Sequence, residues 1–207
     1  IWGNEETYHP GDQFLPEVME RTANECQIQA EAAEDGTVSI FGKDGKLLTK
    51  ETACTLTAKE VFRYTFTGSA TEKTIDGERS FVKNADTVKV ADAFEGKISF
   101  TLEPDEAVYG LGQQEDGIFN YRNVKEYFYQ NNMKIPMPVI LSSKGYALVF
   151  DAACMFTYEE KDNVMTFDFD AVDQIVCYVI EGENFDELIA GIRSLTGKAV
   201  MLPKWAF

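Results

Sequence analysis

The side chains best able to do chemistry in this 207-residue sequence are four cysteines, one histidine and 35 acidic residues. Cys26, Cys54, Cys154 and Cys177 form no C-x-x-C pair, and His9 alone could join them. That spacing argues against a zinc site, and no metal or cofactor is expected. Cys154 and Cys177 lie in apolar segments and read as small buried hydrophobes. Cysteines without pairing signals suit a reducing compartment, so a cytoplasmic location is expected. There is no G-x-S-x-G elbow and no glycine-rich loop ending in Lys-Ser or Lys-Thr. A single histidine leaves little scope for a Ser-His-Asp arrangement. Two carboxylates could work as a catalytic pair, but the acids are spread along the whole chain and read as solvated surface.

The charge balance narrows the partners. The formal net charge is −16, with only 19 basic residues, which nowhere cluster. Phosphate backbones and anionic membrane surfaces repel such a chain, so neither nucleic acid nor membrane is an expected partner. No apolar run is long enough to cross a bilayer. No basic stretch followed by an apolar one opens the chain, so no signal peptide is expected. Ile1 is an unusual first residue, and the chain reads as an excised piece. A hydrophobic content of 44% is enough to bury a real core.

The elements that must position any site are mostly strands. Residues 1–25, with Pro10, Gly11 and Pro16, read as an arm or edge segment. Residues 26–183 read as a β-sandwich. Val38–Phe41, the Asp44-Gly45 turn and Leu47–Thr49 form a hairpin signal, because Asp-Gly tolerates the positive φ of a tight turn. Val61–Phe66, Thr87–Val90 and Lys97–Leu102 alternate polar and apolar residues, the period of half-buried strands. Pro138–Ser142 and Gly145–Phe150 predict a second hairpin; Val164–Phe169 and Gln174–Ile180 predict two more strands. Phe185, Leu188, Ile189, Ile192 and Leu195 recur at helical spacing, with Asn184 and Glu187 as a capping pair and Gly197 as the stop. The fold class predicted is therefore all-β, mainly antiparallel, with one short C-terminal helix; residues 184–207 comprise that helix and a linker.

Three stretches, in order, resemble the N-terminal domain of glycoside hydrolase family 31. The first is Glu106–Glu115, which contains Tyr109-Gly110-Leu111-Gly112-Gln113. The second is Ile135–Asp151, similar to the family's Pro-x-x-x-Ser-x-x-Gly-Tyr-Gly strand pair, with Ala147 in place of the commoner glycine. The third is Tyr178–Gly182, the helix, Leu195-Thr196-Gly197 and Leu202–Phe207. The resemblance implies a sandwich like the galactose mutarotase supersandwich, lying just before a catalytic (β/α)₈ barrel. It implies that both catalytic carboxyl groups belong to that barrel, so no catalytic residue is expected in this chain. Retaining hydrolysis needs two such groups about 5–5.5 Å apart.

The resemblance also implies that one segment of the sandwich reaches over the barrel mouth. Here it matches Gln113–Asn132. Its expected substrate-binding residues are Asp116, Phe119, Asn120, Arg122, Asn131 and Asn132, with Tyr121, Tyr127, Tyr129 and Gln130 beside them. Aromatic rings can stack on sugar faces, and Asn, Asp and Arg can bond hydroxyls in fixed geometry. The expected partners are thus the chain's own C-terminal barrel and an α-linked sugar, an α-glucoside or α-xyloside. Trp205, in the linker, would be an interdomain contact. A stand-alone carbohydrate-binding module and a purely structural sandwich are the alternatives. A mutarotase would need catalytic histidine, which His9 in an irregular arm does not supply.

Overall fold

A computed structural model describes residues 28–74, 77–130 and 132–197, with 66–85 described by backbone alone. The expected arm over residues 1–25, Cys26, His9 and Trp205 lie outside the described residues. The described chain folds as two antiparallel sheets. Strands β1 (Gln29–Ala32), β2 (Val38–Phe41), β3 (Leu47–Thr74), β4 (Gly77–Thr101), β6 (Lys125–Phe128), β9 (Phe156–Lys161) and β10 (Val164–Val172) form a seven-stranded sheet in the order β1-β2-β3-β4-β10-β9-β6. Strands β5 (Val108–Gln113), β7 (Ile135–Ser142), β8 (Tyr146–Phe150) and β11 (Cys177–Glu181) form a four-stranded sheet in the order β11-β8-β7-β5.

Alternation builds the core between them. Along β10, Met165, Phe167 and Phe169 are buried while Val164, Thr166 and Asp168 are only partly so. Along β9, Phe156, Tyr158 and Glu160 point inward. Phe150 from the opposing sheet packs 4.5 Å from the Phe167 ring and 5.4 Å from the Phe169 ring. Apolar burial of this kind contributes about 25 cal/mol per Å² removed from water.

Strand β8 is buried at every position, so both of its faces are covered. Helix α1 (Phe185–Thr196) covers the outer one. Asn184 accepts a hydrogen bond from the Glu187 backbone N–H at 3.0 Å, and Glu187 returns one from the Glu183 N–H at 2.9 Å. Those bonds satisfy donors that a helix start leaves open. Gly197, at φ +86°, ends the helix. Leu188 packs on Gly182 and Gly191 packs on Ile180. The helix therefore runs back along β11 toward Cys177.

The sandwich has two ends. One carries the β2–β3, β7–β8 and β9–β10 turns and is called the turn end here. At the other, the loop end, β5 and β6 finish and β7, β9 and β11 begin.

The expected short strands Val61–Phe66, Thr87–Val90 and most of Lys97–Leu102 are parts of two much longer ones. Strands β3 and β4 pair from Lys50↔Thr101 to Thr74↔Gly77 and continue past the sandwich as a two-stranded ribbon. Strand β6 replaces part of what reads as loop between Gln113 and Asn132. It pairs with β9 through Lys125↔Glu159 and Phe128↔Phe156, and the Phe128 and Phe156 rings stack at 4.9 Å.

Candidate functional site

Segment 113–132 starts at the loop end, where β5 closes on β7 through Gln113↔Ile135. Strand β5 itself is irregular: Gly110, Leu111 and Gly112 all have positive φ, and its register shifts there. This bulge aims Leu111 fully into the core. Residues 114–120 then double back along β5 to the turn end. There the Asn120 side-chain oxygen accepts from the Val108 N–H at 3.0 Å, and the Tyr121 N–H donates to the Val108 carbonyl at 2.9 Å.

Arg122 is the hub of the turn end. Its Nη1 donates to the Glu103 and Glu106 carbonyls at 2.9 and 2.6 Å, and its Nη2 donates to Asn163. Its Nε lies 3.3 Å from Glu160 Oε2, an ion pair in which the carboxylate side chain is 1% exposed. Glu160 also accepts from the Asn123 and Asn163 backbone N–H groups at 2.5 and 3.0 Å. Strand ends from both sheets are thereby tied together. A second buried carboxylate, Glu106, accepts from Ser142 Oγ at 2.5 Å, Tyr146 OH at 2.6 Å and the Glu103 N–H at 2.8 Å. Sequence reasoning missed both carboxylates. The available signal for Glu160 was its inward position in the alternating Phe156–Lys161 run.

After β6 the chain is back at the loop end. Lys134 Nζ lies 3.1 Å from Asp116 Oδ2, and the carboxylate holds the ammonium above its usual pKa. The Gln130 amide donates to the Lys134 carbonyl at 2.9 Å. Tyr127 OH donates to Asp170 at 2.8 Å, and that hydrogen bond raises the phenol pKa. The Tyr127 and Tyr129 rings are 5.8 Å apart and well exposed. Asn132, which precedes β7 at this end, is exposed.

The six candidate residues are thus divided. Asp116 and Asn132 stand at the loop end. Asn120 and Arg122 stand at the turn end, holding the fold together. Phe119, 79% exposed, lies on the outer face of the four-stranded sheet with its ring 5.0 Å from Tyr109, which in turn meets Phe185 edge-on at 5.5 Å. Asn131 lies outside the described residues. The loop end brings together amide, carboxylate and ammonium groups beside two aromatic rings, a set able to bond and stack on a neutral polyol. Among the described residues no group of three or more His, Cys, Asp or Glu could hold a metal ion. No helix among them is long and apolar enough to cross a membrane.

No family model matches the chain. It is 37% identical over 117 residues to an α-xylosidase of Saccharolobus solfataricus, a match covering 52% of this chain and 16% of that protein. It is 32% identical over 116 residues to α-xylosidase A of Aspergillus niger, covering 55% of this chain and 16% of that protein. The chain thus spans about a sixth of the length of these relatives. In structure it matches a family 31 α-xylosidase from a soil metagenome, solved with xylose, at a TM-score of 0.58 and 20% identity. That match covers 87% of this chain and 28% of the other.

Proposed function

From the premise that this chain is of glycoside hydrolase family 31 origin, we propose that it is the non-catalytic N-terminal sandwich domain of a retaining α-glycosidase acting on α-xylosides or α-glucosides. In this reading residues 26–183 are the sandwich and 184–207 the passage to a catalytic barrel. The sandwich packs on that barrel and forms one wall of its sugar pocket. The observation that carries this reading is the direction of α1. Running back along β11, it carries the chain toward the loop end, where Asp116, Tyr127, Tyr129, Asn132 and Lys134 gather. A barrel at that end would meet the polar and aromatic groups best suited to a sugar. The xylosidase relatives favour an α-xyloside as substrate. The two reacting carboxyl groups would come from the barrel, and the sandwich would narrow the poses in which the sugar reaches them.

In the full-length enzyme, Asp116→Ala and Asn132→Ala should each raise KM for an aryl α-xyloside about twofold to tenfold. That is the value of one hydrogen bond of roughly 0.5–1.5 kcal/mol to a neutral hydroxyl. kcat should stay within about twofold, and Lys46→Ala, at the turn end, should change nothing. Steady-state kinetics on purified variants decides it. If both loop-end variants keep wild-type kinetics on several substrates, the loop end is not a pocket wall.

A further inference from the structure

Four Asp-Gly dipeptides occur in the sequence, at 35–36, 44–45, 76–77 and 116–117. At such a pair an aspartate can react with its own backbone. The glycine nitrogen attacks the side-chain carboxyl carbon and a C–N bond forms. The carboxyl hydroxyl leaves with the amide proton as water, and a five-membered succinimide results. Water then opens the ring at either carbonyl. Opening at the backbone carbonyl leaves isoaspartate, in which the main chain runs through the former side chain. Nothing is oxidised or reduced. Glycine favours the attack because it has no Cβ to shield its nitrogen or to restrict the backbone angles that the ring needs.

The fold decides which of these pairs is free to react. At Asp35, Oδ1 accepts from the Thr37 N–H at 3.0 Å and from Thr37 Oγ1 at 2.7 Å, while the Gly36 N–H donates to the Ala33 carbonyl at 3.1 Å. At Asp44, Oδ1 accepts from the Lys46 N–H at 2.9 Å, while the Gly45 N–H donates to the Gly42 carbonyl at 2.9 Å. In both turns the carboxyl is held on the second residue along, and the nitrogen that would attack it is itself tied down. Asp116-Gly117 has neither restraint. Among the described residues the Gly117 N–H donates to no group, and the Asp116 carboxylate accepts from the Lys134 side chain at 3.1 and 3.3 Å and from no backbone N–H. Lys134 and Asp116 form a solvent-accessible pair that separates at little cost. Gly117 is exposed at φ +70° with nothing within 4 Å of an added Cβ, so a ring has room to form. Asp76 lies outside the described residues.

We propose that Asp116-Gly117 is a self-modification site, at which the native protein forms succinimide and then isoaspartate ahead of Asp35 and Asp44. The consequence for sugar binding rests on the pocket-wall reading above. Isoaspartate lengthens the backbone by one carbon and moves the carboxylate away from Lys134, so a residue of the wall is lost without any change in composition.

The test holds the full-length protein in warm neutral buffer for days, once native and once in urea. Isoaspartate is located by methylation with a protein isoaspartate methyltransferase and mapping of the labelled peptides. In the native protein, label at residue 116 should rise several-fold faster than at 35 or 44. In urea the sites should become comparable, because the turns are gone. Gly117→Ala should cut the native label at 116 several-fold, and Asp116→Glu should abolish it, since glutamate cannot close a five-membered ring. An unlabelled residue 116 in the native protein overturns the proposal, as does native label at 35 or 44 that rises as fast. KM for an aryl α-xyloside is followed in the same samples. A rise that tracks the label in wild type and is absent in Gly117→Ala supports the consequence for the sugar. Label at 116 with an unchanged KM supports the modification site and removes Asp116 from the pocket wall.

Discussion

Arg122→Ala is expected to lower the stability of this chain by about 3–5 kcal/mol, the usual cost of removing one partner from a buried ion pair. The loss exceeds one hydrogen bond because Glu160 cannot escape to water: its side chain is 1% exposed and fixed by two backbone N–H groups. The carbonyls of Glu103 and Glu106 lose their donor in the same step. Arg122→Lys should recover only part of the loss. An ammonium on a flexible stem cannot place donors at Glu103, Glu106, Asn163 and Glu160 at once. The double variant Arg122→Ala/Glu160→Gln should be less destabilised than the two single changes added together, since the uncompensated charge is gone. Urea unfolding of the wild type, the three single variants and the double variant measures this. An Arg122→Ala loss below about 1 kcal/mol would show that the pair contributes no more than an exposed one.

Gly112→Ala should be comparably damaging, for a backbone reason. Gly112 sits at φ +89°, and an added Cβ would lie 2.0 Å from the Ile135 carbonyl oxygen and 2.8 Å from the Met137 nitrogen. Both atoms are backbone of β7, so relief requires the two strands to separate. The left-handed conformation costs an alanine about 1–2 kcal/mol. With the loss of strand pairing, about 3–5 kcal/mol in all is expected, a range reached only by a few named mechanisms. Gly45→Ala is the control. Gly45 has φ +77° with nothing within 4 Å of the added carbon, so only about 1 kcal/mol should be lost. If the two variants unfold at the same urea concentration, the close approach of β5 to β7 is not what glycine provides at position 112.

The sandwich itself was legible because its inner strands alternate. Lys97–Leu102 and Val164–Phe169 show period two, and they are neighbours in the seven-stranded sheet. The helix was legible through Asn184, Glu187 and Gly197, whose roles are local in sequence. Strand β5 was harder. Three consecutive residues with positive φ erase the alternation, so Tyr109–Gln113 spoke as a motif and not as a strand. The ribbon was read as separate short strands because pairing over 25 residues or more is a property of two strands together, visible in neither alone.

The candidate site was legible in its residue types but not in its geometry. Asn120 carries the same amide as Asn132, Arg122 and Asp116 are both charged groups able to bond hydroxyls, and a linear segment gives no sign that it reverses at Gln113. The Asn120 and Tyr121 bonds to Val108, with those of Arg122 to Glu103, Glu106 and Asn163, show that the chain doubles back and carries two candidates to the opposite end. Arg122 reads as a ligand for hydroxyls until its partners are known. Glu160, 38 residues later, is what makes it a brace between sheets.

On the proposed function, this chain is one domain of an α-glycosidase whose reacting groups lie elsewhere in the protein. Turnover of an aryl α-xyloside tests it most directly, compared between the full-length gene product and residues 1–207 alone, each purified beside an affinity-tag control. The expected result is hydrolysis by the full-length protein with retained anomeric configuration, and none above background by residues 1–207. Hydrolysis by residues 1–207, or a full-length protein inactive on aryl α-xylosides and α-glucosides alike, would contradict it.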